Sequence, residues 1–372
     1  MHCLIRSFKV TGIIFSLITL ILITNFATSL NAAETMAKKG ESWKEDWDKI
    51  LTNAKKEGEV VIYQGSSGVR PKMANEFFKK FGIKVNALSG RPAELLERMS
   101  REERAGMPVV DLIITGNENS IELKSRDLIS PLDTALMLPE VLDPNKWFGG
   151  FPWLEPRYVI QYFWQINNGI WRNTKLVGDS EVKEYSDLLR PQYKKNIIFD
   201  DPTTMGGGSL WFSLHYPVLG DNYMKALASQ ELIILRDRRL QAEWLAREKH
   251  PILLAGSLGE LLPFKEAGAP IEAVKTKEAG YTGGGSSCLV MAKRSPHPNA
   301  TRLLLNWFLS KEGQTLWTKE TLLPSRRLDV PAEHLNALTV PKVGERYLLD
   351  TPVTLARTAE YIKLAKQLFI KK

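Results

Sequence analysis

Cysteine is almost missing from this chain of 372 residues, with only Cys3 and Cys288 present. Cys3 lies in a stretch patterned as a removable leader, so the mature chain keeps one thiol and forms no internal disulfide. Its fold must be held by a hydrophobic core. Histidine is scarce too: the five, at 2, 215, 250, 297 and 334, include no i, i+4 pair and no H-E-x-x-H, which removes the helical zinc motif. The apolar stretch near the start, Val10 to Ile23, has fourteen residues, short of the ~20 that span a bilayer. Lysine and arginine never gather into a long run interleaved with aromatics, so a nucleic-acid partner is not expected. Internal repeats and low-complexity segments are also missing.

What remains is globular, with 44% hydrophobic and 25% charged residues, and long enough for two cores. His2, Arg6 and Lys9 precede the apolar stretch, and small residues ending at Ala32 and Ala33 follow it, the pattern of a secretory signal peptide over 1–33 cleaved near Ala33. The mature protein is therefore expected in the periplasm. Removing Arg6 and Lys9, with no acid, lowers the formal charge from +8 to +6, a balance that suits anionic partners.

From Glu59 to Thr115 the pattern alternates strand and helix: EVVIY, IKVNAL and VVDLIIT are strands, with helical spacing between them. Pro71 opens and Gly82 closes the first helix; Pro92 and Gly106 bracket the second. This is the signature of a parallel sheet covered by helices. After Ser130-Pro131-Leu132-Asp133 the texture becomes rich in tryptophan and proline, and YVIQYFWQINN from Tyr158 reads as one long crossing strand. NIIFD and ILLAG read as parallel strands of a second lobe. The expected fold class is thus α/β: a two-lobed, periplasmic-binding-protein-like fold, each lobe a mostly parallel sheet flanked by helices, joined by crossing strands. Lobe one takes 34–151 and 284–345, lobe two 152–283, and a C-terminal helix 346–372. Near the end, SPHPNATRLLLNWFLSKEGQ predicts a helix with Asn299 as N-cap.

Chemistry-bearing motifs are few. DDPTTMGGGSLWF, residues 200–212, ends a strand in a glycine-rich turn but lacks the lysine of a P-loop and the spacing of a dinucleotide fingerprint. It can hold an anion through backbone N–H groups at a helix start, or simply allow a tight turn. Neither Ser66 nor Ser257 sits in a G-x-S-x-G elbow. In open α/β sheets ligands bind beyond the carboxyl ends of the strands. Those ends are Gly65 to Ser67, Ser89 to Arg91 and Thr115 to Asn117 in the first lobe, and Thr203 to Ser209 with Gly256 and Ser257 in the second.

GEVVIYQGSS, ANEFFKKFGIKV, LLERMSREERAGMPVVDLII, FKEAGAPIEAV and HPNATRLLLNWFLSKEGQ together resemble the extracellular solute-binding proteins of bacterial ABC importers, in the iron(III)-type branch. The resemblance implies a monomer that closes two lobes on a small-molecule ligand and presents it to an inner-membrane ABC permease, with no catalysis and no resident cofactor or metal. Carried over by position, ligand contacts fall on Ser66, Ser67, Ser89 and Thr115 in the first lobe, and on Thr203, Gly206, Gly207, Gly208 and Ser257 in the second. Arg91 is the expected countercharge for a small organic anion. Ferric members carry an adjacent tyrosine pair where this chain has Leu258 and Gly259, and none of its ten tyrosines adjoin. Ferric iron or a ferric chelate stands as the alternative ligand; a sensory binding module or a cleft enzyme stands as the alternative class.

Overall fold

The computed structural model describes residues 43–65, 67–283 and 287–370; the leader and Ser66 lie outside them. Helix α1 (Trp43–Glu57) leads into β1 (Glu59–Gln64), α2 (Pro71–Phe81), β2 (Lys84–Ser89), α3 (Pro92–Arg104), β3 (Leu112–Thr115) and α4 (Asn117–Ser125). Proline opens α2 at its first turn, and Gly82 closes it in the left-handed region at φ 73°, as the sequence pattern predicts. β1 pairs in parallel with β2 on one side and β3 on the other.

The first sheet then grows by non-local pairing. Strand β14 (Cys288–Ala292) lies antiparallel between β3 and β6 (Val159–Gln161), with the two-residue β4 (Ile129–Ser130) paired to its far end, and β5 (Trp153–Glu155) forms the edge. β5 and β6 thus belong to the first sheet, which corrects the lobe boundary placed at 152. YVIQYFWQINN is not one strand either: it divides into β6 and β7 (Gln165–Asn167). Between them Tyr162, Phe163 and Trp164 are buried, and Tyr162 sets its ring edge-on to Phe308 and Trp317. Helices α8 (Pro298–Leu309) and α9 (Lys311–Thr321) supply those partners. His297, not Asn299, occupies the N-cap of α8; Asn299 lies inside the first turn, held with Ala300 by the Glu57 carboxylate. Two apolar clusters cover this sheet's faces, one around Phe77 and Trp307, the other around Met99 and Val290.

The second sheet has the order β10 (Ile233–Leu235), β9 (Ile197–Asp200), β11 (Ile252–Leu254), β8 (Ile170–Asn173), β12 (Ile271–Val274). β10, β9 and β11 run parallel, and β8 runs antiparallel to β11 and β12. It too is covered on both faces, by clusters around Trp211 and around Trp171. Helix α5 (Gly207–Ala228) starts at the carboxyl end of β9, α6 (Arg238–Ala246) after β10, and α7 (Leu258–Glu266) after β11. A small third sheet joins the two: β7, β13 (Gly280–Gly283) and β15 (Tyr347–Leu348). The chain leaves it through α10 (Pro352–Ala356) into α11 (Thr358–Phe369), whose Tyr361 and Ala365 enter the second lobe's core against α5.

Candidate functional site

Helix α5 starts where the glycine-rich turn was expected, and the turn is braced from within. The Asp200 carboxylate accepts the Gly208 N–H at 2.9 Å and the Gln241 amide at 3.0 Å. Asp201 accepts the Thr203 N–H at 2.8 Å and its hydroxyl at 2.6 Å. Gly206 exchanges bonds with the Ser209 hydroxyl, giving its N–H at 2.9 Å and accepting at 3.0 Å. A Cβ on Gly208 would fall 2.0 Å from the Asp200 carbonyl oxygen, so only glycine fits there. Gly208 and Thr203 are therefore committed to the turn, and a protein carboxylate already occupies the helix-start position predicted for a ligand anion.

The first-lobe turns are also braced. The Ser67 carbonyl accepts Tyr162 Oη and Trp317 Nε1, each at 2.9 Å. Gln64, buried, grips the same loop through both Val69 backbone groups and donates to Ser89 Oγ at 3.2 Å. Arg91 is 86% exposed, with Glu94 3.7 Å away, and does not line a cavity with the other strand ends. The expected countercharge is thus misplaced, because Arg91 is the extended residue ahead of Pro92 and projects into solvent. Ser257 precedes α7 without capping it through its side chain, and Leu258 is buried in the core.

Three chain segments do converge, on a cavity of about 340 Å³. One wall is the start of α4, Gly116 to Asn119, at the end of β3; the opposite wall is Met205, Gly206, Ser209, Leu210 and Ser213 of α5 and its turn. The third is Asp350, Thr354, Leu355 and Thr358, from the segment that bridges both lobes. Of the predicted contacts, Gly206 lines this space, and Thr115 adjoins it, its buried hydroxyl without a partner among the described residues. Ser67, Ser89, Arg91, Thr203, Gly207, Gly208 and Ser257 do not line it.

Asn117 organises the first wall. Its Oδ1 accepts from Gln161 Nε2 at 3.0 Å, Ser287 Oγ at 3.2 Å and Cys288 Sγ at 3.0 Å, while Nδ2 donates to Asp350 Oδ2 at 2.8 Å. Gln161 is the last residue of β6, and its Oε1 accepts from Trp164 Nε1 at 2.6 Å, so this network runs from the cavity into the crossing segment. Burial raises the Asp350 pKa, and burial followed by the charge of Asp350 raises that of Glu118. Two carboxylates share the space with no lysine or arginine in its lining, so donor groups on a ligand are favoured at this end.

The opposite charge lies beside Gly206. A Cβ there would meet Arg238 Nη2 at 3.2 Å, which places the guanidinium against the cavity's glycine turn. Arg238 starts α6, and its one ion pair among the described residues is loose, 3.6 Å from Nε to Asp200 Oδ2. Sequence reasoning missed it because the strand β10, ELIIL, was not recognised; the strand-end rule applied there points straight at Arg236 and Arg238. Asp350 and Thr354 were missed because they follow a two-residue strand that carries no pattern of its own.

There is no histidine or cysteine among the described residues that line this space. Among the described residues the hydroxyl, carboxylate and imidazole that meet are Ser295, Asp111 and His297, outside the cavity. There Ser295 and His297 each bond to the Asp111 carboxylate, and no hydrogen bond joins the hydroxyl to the imidazole. No group of three potential metal ligands occurs among the described residues.

Two α/β lobes, crossed by linking strands and enclosing a polar cavity at their strand ends, define a two-lobed binding protein. The chain belongs to the bacterial extracellular solute-binding proteins, whose family profile matches residues 63–315. Its fold is similar to several solved structures. The Trichodesmium protein IdiA (FutA), in complex with iron and citrate, superposes with TM-score 0.67 at 17% identity, covering 84% of this chain and 100% of that one. AfuA from Actinobacillus pleuropneumoniae, with fructose-6-phosphate bound, gives 0.53 at 20% identity over 84% and 98%. The spermidine/putrescine substrate-binding protein PotD of Streptococcus pneumoniae gives 0.57 at 18% identity over 84% and 99%.

Proposed function

We propose that this protein is the periplasmic solute-binding component of an ABC importer, exported by a signal peptide over 1–33, and that it delivers a small organic anion to a membrane permease as a monomer. The observation that carries the ligand class is Arg238: a guanidinium held by one loose ion pair among the described residues, packed against the Gly206 turn that lines the interlobe cavity. Arginine presents a planar fork of donors matched to carboxylate and phosphate oxygens, and replaces Arg91 in that role. At the other end Asp350 and Glu118 accept from hydroxyl or ammonium groups of the same solute. The ligand is therefore an anion that also carries donor groups, as sugar phosphates and hydroxy acids do.

A thermal-shift screen of sugar phosphates, hydroxy acids, simple carboxylates, polyamines and ferric chelates tests this reading. A ligand at about 100 times its dissociation constant adds roughly 2.7 kcal/mol, a shift of several degrees. The reading expects hits among the hydroxylated anions; stabilisation by polyamines or ferric chelates alone would overturn it.

A further inference from the structure

A second cavity, of about 270 Å³, lies where the small linking sheet meets the edge of the second lobe. Its walls come from three places: the β7–β8 turn with Asn168, the loop after β12 with Lys275, Thr276 and Lys277, and the returning segment with Lys342 and Arg346. Four cationic residues thus line one space whose lining holds a single carboxylate, Glu345.

That carboxylate is already engaged. Glu345 pairs with Lys275 at 2.7 Å and accepts the Tyr347 hydroxyl at 3.0 Å, while Tyr347 Oη accepts the Lys342 N–H at 3.0 Å. Lys277 pairs outward with Glu184 at 2.5 Å. Lys342 and Arg346 form no ion pair with a described residue, and the side chains of Asn168 and Thr276 make no hydrogen bond to one. The backbone here is also held in an unusual state, since Ala279 in the same wall has φ 107°. Non-glycine residues adopt that region at a cost and cluster at sites of function.

We infer that this hinge cavity is an accessory site for a small phosphate-class oxyanion, distinct from the solute cavity. A multiply charged anion with several acceptor oxygens compensates Lys342 and Arg346, the two cations of the lining without an ion pair to a described residue, and takes the donors of Thr276 and Asn168. Because its walls belong both to the second lobe and to the linking strands, an anion held there braces the hinge.

Calorimetric titration of inorganic pyrophosphate and phosphate, at ionic strength fixed with sodium chloride, tests the assignment on three proteins: wild type, the double variant Lys342→Ala/Arg346→Ala, and Arg238→Gln. The expected result is a saturable class of sites in wild type that is weakened at least tenfold in the double variant and persists, within twofold in affinity, in Arg238→Gln, where the solute cavity's own anion contact is removed. Both replaced hinge residues are exposed, so the double variant should keep the wild-type circular dichroism spectrum and melting point. Three outcomes overturn the site: no saturable binding beyond the chloride control, wild-type binding by the double variant, or binding lost in Arg238→Gln instead.

Discussion

Replacing Gly208 by alanine separates a tight turn from a ligand cradle. The added Cβ would lie 2.0 Å from the Asp200 carbonyl oxygen, 2.6 Å from its carbonyl carbon and 2.7 Å from that of Asp201, all backbone atoms that cannot step aside. Relief requires the turn to open, which also lengthens the buried Gly208 N–H bond to the Asp200 carboxylate, 2.9 Å in the native turn. Overpacking costs about 1–3 kcal/mol, and a weakened bond to a charged group adds roughly 1.5–3 kcal/mol. The sum, about 2.5–6 kcal/mol, lowers the melting temperature by about 10 °C. Gly206→Ala is the control: its φ of 161° is extended backbone open to any residue, and its Cβ meets the movable end of Arg238 at 3.2 Å. That variant should melt within about 2 °C of wild type while its ligand affinity falls. Scanning calorimetry or a thermal-shift melt reads both. Should Gly208→Ala melt with wild type, the bracing of the turn by Asp200 is wrong.

Three further outcomes follow from buried groups. His215 stacks on Trp211 at 4.7 Å, donates to its carbonyl and accepts from Tyr185, and burial pushes its pKa down to about 3. The unfolded chain binds the proton first, so His215 makes stability fall as pH drops from about 6.5 towards 3; His215→Gln should flatten that limb by up to a few kcal/mol in urea melts. Asp350 has its pKa raised by burial, so its charge opposes folding above the ordinary carboxyl range; Asp350→Asn should leave the ligand-free melting point at pH 7 equal or higher while weakening ligand binding, and a clear loss of stability would count against a ligand role. Cys288, buried with its pKa raised to about 12, should resist a thiol-reactive dye at pH 8 until the protein is denatured, and prompt labelling of native protein would contradict its burial.

Much of the first lobe was legible because its contacts are local. Pro71 and Gly82 bracket α2, and apolar runs of strand length flank it, so β1, β2 and β3 follow from neighbouring residues. The antiparallel insertion of β14 between β3 and β6 was not legible, since nothing in CLVMA names partners more than a hundred residues away. The long aromatic segment misled for a related reason: alternation suggested one strand, but Tyr162 and Phe163 turn into the core beneath α8 and α9, which ends β6. In the site, strand-end turns were found and their roles were not. Ser67, Ser89 and Thr203 look like ligand donors in sequence, yet Asp201 takes the Thr203 hydroxyl, Gln64 donates to that of Ser89, and Tyr162 and Trp317 hold the loop at the Ser67 carbonyl. Arg238 and Asp350 escaped notice because tertiary placement, not local pattern, brings them to Gly206 and Asn117.

The central claim is that Arg238 receives the anionic group of a solute taken between the lobes. Isothermal titration of the most stabilising hydroxylated anion against wild type and Arg238→Gln tests it directly. The account predicts affinity weakened about 10- to 100-fold, the worth of a charge-assisted hydrogen bond, with the ligand-free melting point unchanged within about 2 °C. Equal affinity in the two proteins would contradict it.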